Sequence, residues 1–137
     1  MSDEPMRAEL VWDGGLQFTV QAGMHTTRLD GDQEAAGSPM EMLLASLAGC
    51  MAIDIVLILG KRRAQLKSMR MRAEGVRAAE PPRRFTAVTL HFEIVGTGVK
   101  AADVERAIQL SREKYCSVFA TLRPDLDVRI TYAQTEA

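Results

Sequence analysis

The sequence predicts an α+β domain with an antiparallel sheet, and three observations carry that expectation. Short strand-like runs open the chain, one long apolar helix occupies its middle, and paired strands, a second helix and a closing strand follow. With 137 residues, one domain spanning 1–137 is expected, long enough to bury a core. The 17 basic and 18 acidic residues leave a net charge of -1, so no global field draws in nucleic acid or an anionic membrane.

Residues 8–20 read as two strands around Asp13-Gly14-Gly15, where glycine supplies the positive φ of a tight hairpin. A third strand is expected over 24–29, and the Gly-, Asp- and Ala-rich stretch 30–38 reads as a mobile connection. Ser38-Pro39-Met40-Glu41 then combines an N-cap serine, a proline at the first helical position and a glutamate three residues past the cap. This is a capping box, and it starts a helix.

From 42 to 60 that helix has only Ser46 and Asp54 as polar side chains. It is long enough to raise the question of a membrane span. An aspartate at mid-span costs about 2.5–3.5 kcal/mol, and the flanking strands need this helix as their core, so it is read as a central helix buried on most sides. Lys61-Arg62-Arg63 marks its exit into water.

Two long strands are expected over 66–80 and 83–95, separated by Pro81-Pro82, which cannot continue a ladder. In the second, Val88, Leu90, Phe92 and Ile94 share one face, and Thr89, His91 and Glu93 the other. A second helix from about 101 has Val104, Ile108 and Tyr115 spaced as an apolar face, and a strand over 128–132 closes the domain. So much apolar helix with so few strands leaves more hydrophobic surface than one small domain covers, which points to a homodimer.

Any chemistry most plainly involves the two cysteines, Cys50 and Cys116. The amino-terminal residues have no apolar signal region, so a cytoplasmic protein with reduced thiols is expected. On helical rotation, Leu43, Ser46, Leu47, Ile53, Asp54 and Leu57 lie near Cys50. Two readings fit this stripe: a small core hydrophobe, or a thiol with an apolar substrate beside it. Asp54 would raise the pKa of that thiol. Cys116 lies between Lys114 and Ser117, a setting that favours a thiolate, although a structural cysteine at a helix end fits as well. Glu41 points away from Cys50, so its evident role is in the capping box. His25 and His91 stand isolated, no closely spaced ligand pair suggests metal, and the phosphate-loop, dinucleotide and serine-hydrolase motifs are missing.

The segments Gly37-Ser38-Pro39-Met40-Glu41-Met42-Leu43-Leu44-Ala45-Ser46-Leu47-Ala48-Gly49-Cys50 and Leu110-Ser111-Arg112-Glu113-Lys114-Tyr115-Cys116-Ser117-Val118 resemble the OsmC/Ohr family, especially its YhfA-like branch. The resemblance implies an intertwined homodimer with active sites at the subunit interface, and no metal or organic cofactor. It implies Cys50 as the peroxidatic cysteine and Cys116 as the resolving one, reducing organic hydroperoxides and recycled by a lipoyl-type dithiol. The family's glutamate directly follows the proline and pairs with an arginine from the early strands. Here Met40 follows Pro39, Glu41 comes one position later, and residues 13–17 carry no arginine, which leaves Arg7 and Arg28 as substitutes. That departure keeps a second reading open, a non-catalytic dimer binding a hydrophobic ligand.

Overall fold

A computed structural model, described for residues 3–137, gives the element order β1 (Ala8–Gly14), β2 (Gln17–Ala22), β3 (His25–Asp30), α1 (Pro39–Lys61), β4 (Gln65–Arg77) and β5 (Phe85–Thr97). Helix α2 (Ala101–Leu110), a π-turn (Ser111–Tyr115), the short α3 (Ser117–Thr121) and β6 (Asp127–Glu136) complete it. This is the expected α+β class, built on two three-stranded sheets. Two compact units are distinguishable, residues up to 43 and residues 44–137, with the division inside α1.

In the first unit β1, β2 and β3 form an antiparallel meander. Gly14 and Gly15 make the first turn with φ of 102° and 55°, as the Asp13-Gly14-Gly15 pattern requires. The third strand runs one residue later than expected, because Ala22 pairs with His25 and leaves Gly23 and Met24 as the turn. Residues 31–37 are not the loose connection that their composition suggests. The buried Asp30 carboxylate accepts the amides of Asp32 at 2.8 Å, Ala35 at 2.9 Å and Glu34 at 3.2 Å, while Asp30 N–H donates to Gly37 O at 3.0 Å. Aspartate competes for backbone in this way, and here it folds the segment around itself. The capping box follows as expected: Ser38 N–H donates to Glu41 Oε1 at 2.9 Å, and Glu41 N–H to Ser38 Oγ at 3.2 Å.

In the second unit β4 and β5 are antiparallel. β4 ends before the prolines, where Ala78 N–H donates to Arg84 O at 2.8 Å and closes the connection. The alternation of β5 is realised: Val88, Leu90, Phe92 and Ile94 are buried, and Thr89 is exposed. They pack with Leu47, Ala48, Met51, Ile55 and Leu59 of α1 and with Val104 and Ala107 of α2. The expected antiparallel pairing holds for β1–β2, β2–β3 and β4–β5, and departs at β6, which pairs with β5 in parallel from Ala87↔Asp127 to Gly96↔Glu136. A strand, a helical crossover and a second strand return the chain in its original direction, so the strand order contained this outcome.

Two further expectations change. Tyr115 does not extend the apolar face of α2; it is exposed, and Ser111 is buried. The π-turn accounts for this, since its wider closure shifts every following residue off the α-helical spacing. Helix α1 is buried along one stripe, not on most sides: Ile53 is 63% and Leu57 59% exposed, with Val56 beside them. Among the described residues α1 is the one helix long and apolar enough to cross a membrane.

Candidate functional site

Cys50 lies on α1, half-buried, where the core stripe meets the exposed apolar stripe. The chain returns to it through the end of α2. There Ser111 O accepts the Cys116 amide at 2.9 Å, the i→i+5 closure of the π-turn, and Cys116 leaves the helix with extended backbone (φ -74°, ψ 100°). Cys116 itself caps α3, its sulfur accepting the Phe119 amide at 3.4 Å. The cap of this short helix is thus Cys116 and not the neighbouring Ser117.

These elements bring the two sulfurs together. Both are free thiols, and they lie near enough for Cys50 to raise the pKa of Cys116. Cys116 is 3% exposed, and burial pushes its thiol from 9.0 up to about 11. The Phe119 amide acts in the opposite direction, while the neighbouring Cys50 and, less, Asp54 add to the rise. Of the two readings open for Cys116, the surroundings that favour a thiolate are outweighed here, because desolvation exceeds the effect of the Phe119 amide. Lys114 instead lies over the Tyr115 ring, 5.4 Å from its centroid.

Asp54, one turn beyond Cys50, accepts a 2.8 Å hydrogen bond from Ser111 Oγ. Sequence reasoning registered Asp54 without finding this partner. The available signal was a carboxylate in the middle of an apolar helix, which demands one. Arg112 was also missed: its Nη1 donates to Val128 O at 2.7 Å, and its guanidinium lies 5.3 Å from the centre of the Phe119 ring.

Glu41 is occupied by structure. The Ser38 amide, the Gln33 side chain and the Ser38 hydroxyl hold its carboxyl below the usual range. Arg28 donates to Gln17 Oε1 at 2.6 Å, and Arg7 lies just before β1. His25 begins β3, while His91 Nδ1 is 2.7 Å from Thr131 Oγ1 on the polar face of β5. Among the described residues no group of three or more His, Cys, Asp or Glu side chains is placed to hold a metal ion.

The family profile described as OsmC-like protein matches residues 30–131. Protein YhfA of Escherichia coli (strain K12) is 40% identical over 129 residues, which are 93% of this chain and 96% of that protein. A crystal structure of a hypothetical protein from Aquifex aeolicus VF5 superposes with a TM-score of 0.89 at 27% identity, covering 98% of each chain. An organic hydroperoxide resistance protein OsmC from Legionella pneumophila gives a TM-score of 0.71 at 22% identity, covering 97% of this chain and 99% of that one, a likeness of fold. The matched segment includes both cysteines and the helices that carry them, and on this evidence the chain belongs to the OsmC family.

Proposed function

We propose that the protein reduces organic hydroperoxides through Cys50 and Cys116 in oxidative-stress defence. The observation that carries this reading is the 2.8 Å Asp54–Ser111 bond, which ties the turn after Cys50 to the π-turn ending at Cys116. Although far apart in sequence, the two cysteines are near enough for Cys50 to raise the Cys116 pKa. The burial of Cys116 supports the division of labour: a thiol held protonated at neutral pH is a poor first nucleophile, whereas half-buried Cys50 has access to solvent.

The Cys50 thiolate attacks the terminal oxygen of ROOH, giving the Cys50 sulfenic acid and, after protonation of the leaving alkoxide, ROH. The Cys116 thiol then displaces the sulfenic oxygen as water, forming the Cys50–Cys116 disulfide. A dithiol of lipoyl type restores both thiols and leaves as its own disulfide. The reaction suits a reducing, cytoplasmic setting. The exposed apolar stripe of α1, with Leu43, Ile53 and Leu57, supports a homodimer in which a second copy covers that face, and it supplies apolar surface beside Cys50 for the alkyl group.

The test is consumption of an organic hydroperoxide with added dithiol. Wild type should turn over, Cys50→Ser should be inert, and Cys116→Ser should react once and then accumulate sulfinic acid. A fully active Cys50→Ser would overturn the role of Cys50, and a wild type that consumes no hydroperoxide would favour a protein that binds a hydrophobic ligand without consuming it.

A further inference from the structure

The two sulfurs sit on segments joined by the Asp54–Ser111 hydrogen bond beside a largely apolar core. Ser111 is 1% exposed and bound at three points. Its amide donates to Ala107 O and Ile108 O, its carbonyl accepts the Cys116 amide at 2.9 Å, and its hydroxyl donates to Asp54 Oδ2 at 2.8 Å. Asp54 and Cys50 are four residues apart on α1 and so share a face. The link from one sulfur to the other is therefore short: one turn of α1, the Asp54–Ser111 bond, and the closure of the π-turn at Cys116.

We infer that Ser111 and Asp54 are positioning residues for the resolving thiol, fixing the π-turn on α1 so that Cys116 faces Cys50. The inference rests on the reading of these cysteines as a redox pair. Apolar packing holds α2 against the sheet and α1, but it is non-directional and does not set the rotation of the turn that follows. A short hydrogen bond to a carboxylate is directional, and π-turns often mark functional sites. Arg112 braces the far side of the same turn through Val128 O and the Phe119 ring, whose residue's amide caps the Cys116 sulfur. Without the Ser111 hydroxyl the turn has one brace, and Cys116 spends less time in line with Cys50.

The experiment equilibrates the full chain in oxidised and reduced dithiothreitol and counts the Cys50–Cys116 disulfide by mass spectrometry. Loss of a charge-assisted hydrogen bond predicts that Ser111→Ala and Asp54→Ala shift this equilibrium about tenfold toward the thiols, or about 30 mV for a two-electron couple. Asp54→Asn keeps an oxygen acceptor for the hydroxyl and should stay within about twofold of wild type. With an organic hydroperoxide, Ser111→Ala should also raise the ratio of Cys50 sulfinic acid to disulfide. A wild-type equilibrium in Ser111→Ala, or an Asp54→Asn loss as large as that of Asp54→Ala, would overturn the inference. Circular dichroism checks folding, and if Ser111→Ala fails to fold, the two Asp54 variants decide. A wild type that forms the disulfide in dithiothreitol yet consumes no hydroperoxide would sink the proposed function alone.

Discussion

Raising the pH tests the buried Cys116 thiol directly. With its pKa moved from 9.0 to about 11 by burial first and by Cys50 and Asp54 after it, the thiolate fraction at neutral pH is about a hundredfold below that of an ordinary cysteine. The folded state therefore holds a proton that the unfolded chain releases between pH 9 and about 11. Stability from this group is fully present below pH 9 and is lost as pH rises toward 11, by about 3 kcal/mol at most, since a tenfold change in proton affinity is worth about 1.4 kcal/mol. Two measurements read it. Thiolate absorbance near 240 nm needs no reagent access; taken as the difference between Cys50→Ala and Cys50→Ala/Cys116→Ala, so that the tyrosines cancel, its midpoint should fall below 11 and stay above 9.0, because burial remains the largest cause. Urea unfolding at stepped pH should show a loss of stability in wild type that Cys116→Ala flattens. A Cys116 midpoint at or below 9 would refute the reasoning, and with it the argument that Cys116 is shielded from first attack by peroxide.

Light scattering at micromolar concentration should find the dimer mass, and a stable folded monomer would remove the partner proposed for Ile53, Val56 and Leu57. Glu41→Gln should keep peroxidase turnover while weakening the acid dependence of stability. The Glu41 carboxyl is depressed below 4.5, so its contribution is present above that pH and is lost as pH falls through the folded value; an inactive but folded variant would make Glu41 catalytic. Asp30→Ala should leave the amides of Asp32, Glu34 and Ala35 without their acceptor and loosen residues 31–37, read as faster amide exchange at those positions. Gly96→Ala should lower the urea midpoint by the equivalent of about 1–3 kcal/mol, because a Cβ there would meet Gln65 O at 2.4 Å and backbone would have to move; an unchanged midpoint would show that the strands give way freely.

What the sequence revealed depended on the range of the interaction. The capping box at Ser38 and Glu41, the glycine hairpin and the alternation along β5 are local patterns, and each is realised in place. The direction of β6 was decided by a crossover, and strand composition carries no sign of direction. The π-turn escaped because one residue of extra closure leaves no compositional mark, yet it is what turns Tyr115 off the buried face that Ser111 still shares with Val104 and Ala107. The cysteine pair came from resemblance. Local chemistry around Cys116 suggested a thiolate, and only the packing of α1 against α2 and the sheet shows that burial prevails.

The parallel pairing of β6 also governs how the second unit assembles. The antiparallel pair β4–β5 can zip outward from the connection after Arg77, each pair of residues shortening the loop that the next must close. Along β5–β6 every partner is the same 40 residues away, from Ala87↔Asp127 to Gly96↔Glu136, so no inexpensive first contact exists. Closing that loop costs about 1.4 kcal/mol more than closing one a fifth its length. The hairpin should therefore form early, and the crossover, which carries Cys116, should dock late. Until it docks, the thiol pair does not exist as a pair, and the chain folds through most of its course without two neighbouring sulfurs that an oxidant could join prematurely.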